Sequence, residues 1–257
     1  MFEFSDSQIG QFVGQYFWPL TRISAFVLAA PIFGTRVISA RIRLVLSVML
    51  TILVAPLLPA LPPFTTLSLD MALITVQQIL IGVTLAFIFQ VTFQVFVLAG
   101  QYIAMKMGLG FAQMNDPSNG VSVTIISQFY LLTTTLLFLS INGHLAILKI
   151  IVDSFTIMPI GETGFSASDF YQIVNLGGWM FASALTIALP VLTALLVVNI
   201  AFGIMSRSAP QINIFAVGFP VTLIFGLLLM WLDFNAFLPS FNQFVNEGLT
   251  FGQQILQ

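Results

Sequence analysis

The side chains that could carry chemistry in this sequence are few enough to take one at a time. The single histidine, His144, precedes Lys149 by five residues, and Lys149 precedes Asp153 by four. Only the last two share a helical face, so an interfacial ion pair is expected there rather than a proton relay. Met107-Gly108-Leu109-Gly110-Phe111-Ala112 contains a Gly-x-Gly. No Lys-Ser/Thr follows it and no strand precedes it, so phosphate binding is not expected. The absence of cysteine excludes disulfides, thiolate metal sites, iron–sulfur ligation and cysteine nucleophiles. One histidine leaves a two-histidine haem or a multi-histidine zinc site without partners in the chain. Asp70, Asp116, Asp153 and Asp233 all fall at the ends of apolar segments, and no Ser-His-Asp set or carboxylate pair lies within one. Neither intramembrane catalysis nor a mid-membrane coupling ion is expected. The sequence reads as a non-enzyme with no metal and no cofactor.

The elements that would position any site are set by composition. Among 257 residues there are 7 Lys+Arg and 9 Asp+Glu, so 6% are charged, against about 25% in an ordinary soluble domain. With 58% hydrophobic residues, 27 Phe and a mean hydropathy of +1.05, nearly every helix face must be apolar. Such a chain is solvated by lipid or by other subunits, which makes it an integral membrane protein. A net charge of −2 offers no basic patch to phosphates, so no nucleic-acid partner is expected. The start, Met1-Phe2-Glu3-Phe4-Ser5-Asp6, is acidic where a secretory signal is basic. The first apolar segment is therefore expected to stay in the mature protein.

A spanning helix needs about 20 largely apolar residues, and the scarce charges mark six candidate segments. They run over 12–34, interrupted by Arg22; 44–61, ending in Pro56, Pro59, Pro62 and Pro63; and 71–105, long enough to tilt strongly or bend. The fourth covers 121 to just before Lys149, followed by a loop to Asp169. The fifth is 170–206 with Pro190, and the sixth is 208–232 with Pro220. Proline at these places kinks a helix unless neighbours satisfy the freed carbonyl. A polar tail, 233–257, closes the chain. Arg36, Arg41, Arg43, Lys106 and Arg207 fall in odd loops, whereas the fourth loop holds only Lys149. The excess of positive charge in cytoplasmic loops then favours six spans with both termini outside the cytoplasm. Arg22 stands apart. It either snorkels or meets a carbonyl near the end of a tilted helix, or makes a polar contact with another subunit.

Gly10 and Gly14, Ala25 and Ala29, and Ala104, Gly108 and Ala112 are small residues at four-residue spacing, which lets helices pack closely. The stretch 113–120, Gln-Met-Asn-Asp-Pro-Ser-Asn-Gly, is dense in turn formers. Irregular backbone of this kind cannot face lipid. It is either a plain connecting loop or a mobile element able to close a pore.

Three stretches carry a resemblance. Arg22-Ile-Ser-Ala-Phe-Val-Leu-Ala-Ala-Pro-Ile-Phe-Gly34, continuing through Arg36 to Ala40-Arg41-Ile42-Arg43, is the first. Lys106 to Ala112 with Asn115-Asp116-Pro117 is the second. Arg207-Ser-Ala-Pro-Gln-Ile-Asn-Ile-Phe215 followed by Gly218-Phe219-Pro220 is the third and most specific. Together they resemble the FliR/SctT family of type III secretion export-gate subunits, closer to its flagellar than its injectisome branch. Length and segment pattern agree over the whole chain.

The resemblance implies a single all-α membrane domain over 1–257, with about six hydrophobic segments arranged as kinked helical hairpins. Within it, 1–169 would hold the N-terminal helices with a central loop near 106–120, and 170–232 a C-terminal hairpin. One copy of the chain would join several copies of FliP and FliQ in a ring, with FlhB at the base and FlhA and the basal body nearby. Unfolded flagellar proteins would pass through this ring at the bacterial inner membrane, and lipid would cover part of its outside. The loop residues Met107, Gly108, Leu109, Gly110, Phe111, Met114, Asn115, Asp116 and Pro117 would form a channel plug, where methionine and phenylalanine supply bulk that reseals around a passing chain. Arg207, Pro210, Gln211, Asn213, Phe215, Gly218 and Pro220 would form a subunit interface or cytoplasmic hairpin tip, with a plain loop as the other reading of Gln211 and Asn213. A small secondary transporter and a purely structural membrane scaffold are the competing functions.

Overall fold

A computed structural model of the chain describes residues 6–59, 61–64, 68–109, 113–115, 122–161, 164–208 and 214–256. Its elements are α1 (Asp6–Ala29), α2 (Ala40–Val54) continued by a 3-10 turn (Ala55–Leu57), α3 (Leu69–Lys106), the short strands β1 (Gln113–Asn115) and β2 (Ser122–Thr124), α4 (Ile125–Ser140), α5 (Gly143–Ile157), α6 (Ala167–Ser208) and α7 (Ile214–Gln254). The protein is an all-α membrane protein apart from one three-residue hairpin. Four of its described helical segments are long and apolar enough to cross a membrane, or five if α4 and α5 count as one broken span. The six segments seen in the sequence thus correspond only approximately to spans.

Local chemistry fixes the helix ends. Ser68 Oγ accepts from Met71 N at 3.3 Å at the start of α3. At the start of α6, Ser166 N donates to Asp169 Oδ2 at 2.7 Å while Ser166 Oγ accepts from Asp169 N at 3.4 Å. That reciprocal pair is a capping box. Both long helices carry an acid in the first turn and a base in the last, Asp70 and Lys106 in α3, Asp169 and Arg207 in α6, which complements the helix dipole.

Several boundaries differ from the sequence reading. The fourth segment is not one helix. It breaks at Asn142, whose φ of 58° lies in the left-handed region, and Asn-Gly is a dipeptide that favours such a turn. Lys149 and Asp153 consequently lie inside α5 rather than at a loop, and they form no ion pair with each other. The third segment does not bend out of helix; α3 is a single helix of 38 residues. The stretch from Asp233, expected as a polar tail, continues α7 as far as Gln254. Pro19, Pro190, Pro220 and Pro239 all sit within helices that run on past them.

The chain divides into two compact units. The first comprises Met1–Val91, Ile141–Leu176 and Gly248–Gln257. In it α1 and α3 run side by side in the same direction, Arg22 level with Gln78 and Phe26 within 6.4 Å of Phe89, ring centre to ring centre. They approach closely because Gly82 has no side chain; a Cβ there would run into the Arg22 carbonyl oxygen. The segment after α2 lies along α1, held by Gln15 Nε2 to Ala55 O at 2.7 Å and Trp18 Nε1 to Pro62 O at 2.9 Å. Gly10 and Gly14 therefore make room for the backbone of Pro62 and Phe64.

The second unit comprises Thr92–Ser140 and Gly177–Glu247. Here the C-terminal part of α3 meets α4 through Phe93 and Phe138 (5.2 Å) and α7 through Phe96 and Phe237 (5.7 Å). Gly100 sits against Ser127 of α4, where an added Cβ would be 2.7 Å from the Ser127 Cα. α6 and α7 are antiparallel. Trp179, early in α6, donates from Nε1 to Glu247 Oε2 late in α7 at 2.7 Å, and Pro190 lies beside Leu232.

Candidate functional site

The loop singled out in the sequence begins where α3 ends, and its root is anchored. Met107 is fully buried, and its side chain fills the space over Gly226 of α7. Gly108 has φ +82°, a left-handed conformation that suits glycine and strains other residues. A Cβ there would meet the Phe219 ring at 2.9 and 3.1 Å. The structure thus brings together two stretches far apart in sequence, the root of the loop and the Gly218-Phe219-Pro220 segment of α7.

The neck of the loop is a hairpin rather than irregular chain. β1 and β2 pair antiparallel with Gln113 opposite Thr124, Met114 opposite Val123 and Asn115 opposite Ser122. The ladder satisfies backbone groups that lipid could not. Thr124 then caps α4, its Oγ1 accepting from Ser127 N at 3.2 Å. Gly110, Phe111, Asp116 and Pro117 lie outside the described residues, and Met114 and Asn115 are described only as strand backbone. Leu109 follows Gly108 as a half-buried residue.

The second stretch is partly visible. Arg207 is exposed in the last turn of α6, Gly218 is buried, and Pro220 is exposed within α7. Phe215 is described as α7 backbone, whereas Pro210, Gln211 and Asn213 lie outside the described residues. Phe219, Gly226 and Met107 make the link between the two stretches. The Gly-Phe-Pro triplet already drew attention to Phe219, but nothing in the sequence pointed to Gly226.

Arg22 is completely buried and is bound within the chain. Its Nε donates to Gln78 Oε1 of α3 at 2.8 Å, Nη1 to the Ser154 carbonyl at 2.8 Å and to Ser154 Oγ at 3.1 Å, and Nη2 to the Met158 carbonyl at 2.9 Å. The guanidinium carbon lies 4.4 Å from the centre of the Phe155 ring, a cation–π contact. Ser154 and Met158 close the C-terminal turn of α5, the Ser154 carbonyl accepting from Met158 N as well as from Arg22, and the negative end of the helix dipole there favours a cation. Arg22 therefore ties α1, α3 and α5 together with neutral partners. Gln78, Ser154 and Phe155 were not identified from sequence, since the contacts span 56 to 136 positions.

His144 Nδ1 is buried without a hydrogen-bond partner, and no cluster of three His, Asp or Glu side chains able to hold a metal occurs among the described residues. What the arrangement offers is mechanical: in one unit a loop rooted against α7 at Phe219 and Gly226, and in the other a bundle locked by a buried arginine.

Comparison with known proteins gives this geometry a family. The model of the bacterial export proteins, family 1, matches residues 13–248. The chain belongs to that family. Among the relatives of the bacterial export proteins of family 1, the flagellar biosynthetic protein FliR of Pectobacterium carotovorum subsp. carotovorum is 39% identical over 232 residues, 90% of this chain and 88% of the relative. FliR of Escherichia coli (strain K12) is 38% identical over the same shares. FliR of Buchnera aphidicola subsp. Schizaphis graminum is 31% identical over 98% of this chain and 97% of its own length. The family match spans the loop, the Gly218-Phe219-Pro220 segment of α7 and the buried Arg22 alike.

Proposed function

We propose that this chain is a structural subunit of the flagellar type III protein export gate, lining part of the channel through which unfolded flagellar proteins cross the bacterial inner membrane. Membership of the bacterial export family and the flagellar names of its relatives support the flagellar branch over an injectisome. In this reading the chain catalyses nothing, and FliP, FliQ, FlhB and FlhA are its companions.

The observation that carries the assembly is a length. Exposed apolar side chains line α6 from Phe170 through Val174, Phe181, Leu189 and Val197 to Met205, which at 1.5 Å per residue is about 53 Å of helix. The hydrocarbon core is about 30 Å thick, and a tilt of about 40° brings such a helix only to about 40 Å along the membrane normal. Lipid alone leaves part of this face in water. Other subunits cover it more economically, which disfavours a transporter acting alone.

Removing the chain from its native host is expected to abolish secretion of a hook protein expressed from an independent promoter, while the protein still accumulates in the cytoplasm. Restoring the chain restores secretion. Unchanged hook protein in the medium of the deletion strain would overturn the proposal.

A further inference from the structure

α7 contains two acids, and the chain treats them differently. Glu247 is satisfied internally, accepting from Trp179 Nε1 at 2.7 Å and from Gln243 Nε2 at 2.9 Å. Asp233, which the sequence placed at a segment end, lies in the interior of α7 and makes no hydrogen bond or ion pair with the described residues. It lines a pocket of about 210 Å³ with Pro190, Val191, Leu229 and Leu232. Around it Leu189, Leu228, Trp231, Leu232 and Phe234 are exposed. No Lys, Arg or His follows Arg207 in the sequence, α4 has none, and none pairs with Asp233 among the described residues. Lys106 and Arg207 stand at the ends of their helices.

A carboxylate inside an apolar helix is costly unless paired, and such residues mark functional contacts. We propose that the notch at Asp233 and Pro190 receives a lysine or arginine from an apolar helix of another subunit, whose apolar residues cover Leu228, Trp231 and Leu232. The charge of the site selects the cation, and the apolar rim selects the kind of helix that carries it. This rests on the reading of the chain as one subunit of a larger gate.

Dicyclohexylcarbodiimide, which attacks protonated carboxyl groups in apolar surroundings, tests it on the unaltered chain. The expected result is labelling of the Asp233 peptide in the chain purified alone and loss of that labelling in the complex extracted from native membranes. Equal labelling in both overturns the proposal. Asp233→Glu, Asp233→Asn and Asp233→Leu provide a second arm, read as the amount of chain in the large complex on native gels. Glutamate is expected to preserve it, and asparagine and leucine to lower it. Leucine assembling as well as aspartate would mean that the site faces lipid, and would overturn the pairing alone. A wild-type chain that migrates by itself overturns both this inference and the gate reading.

Discussion

Replacing Arg22 with alanine is expected to lower the thermal midpoint of the purified protein by on the order of 10 °C. The guanidinium satisfies Gln78 Oε1 and the carbonyls of Ser154 and Met158. Gln78 and Ser154 are nearly or fully buried. The Ser154 carbonyl keeps the Met158 N–H, so Gln78 Oε1 and the Met158 carbonyl are the two acceptors left without a donor, each costing about 1–3 kcal/mol; with the lost cation–π contact the total is about 3 kcal/mol or more. In a domain of this size about 1 kcal/mol moves the midpoint by about 2–4 °C. Arg22→Lys is expected to recover only part of the loss, because an ammonium cannot reach three acceptors with the geometry of a planar fork. Arg36→Ala, at an exposed position outside any helix, serves as the reference and should leave the midpoint unchanged. An Arg22→Ala protein that melts with the wild type would show that α1, α3 and α5 are held by packing alone.

Gly108→Val is the second substitution with a large expected effect, on gating rather than on assembly. A β-branched residue at φ +82° is strained, and its Cβ also runs into the Phe219 ring. Strain of about 2 kcal/mol at the root of the loop corresponds to roughly a thirtyfold shift between seated and displaced loop. If the loop closes the channel, cells carrying Gly108→Val assemble a normal complex but leak ions and small solutes, measurable as growth sensitivity and as dye uptake. Gly177→Val is the control, since nothing lies within 4 Å of a Cβ there. Combining Gly108→Ala with Phe219→Ala should leak less than Gly108→Ala alone, because the ring that collides with the new Cβ is gone. A tight membrane in Gly108→Val cells, with the complex intact, would mean that the loop root does not control closure.

How much of this was legible beforehand follows from the range of each interaction. The apolar composition and the spacing of charges announced helices and membrane, because both are local and additive. The loop at 107–120 announced itself through turn chemistry, and Gly218-Phe219-Pro220 through its family resemblance. The contact of Gly108 with Phe219, by contrast, joins positions 111 apart, and no local pattern encodes it. Arg22 was conspicuous as a charge in an apolar run, but its partners lie on two other helices, so the residue was visible while its role was not. The break at Asn142 carried a signal in the Asn-Gly pair, which the uninterrupted hydrophobicity on either side concealed. The end of α7 misled for the opposite reason. Asp233, Asn235, Pro239 and Asn242 read as solvent-facing chain, whereas packing of Phe237, Phe241 and Phe244 into the bundle carries the helix through them.

The central claim is that this chain works as one member of a larger membrane assembly. It is tested most directly by the native mass of the tagged chain, co-expressed with FliP and FliQ and extracted in mild detergent. The account predicts a large complex that contains the smaller subunits in several copies and this chain once. A monomer or homodimer, with both companions present in the membrane, would contradict it.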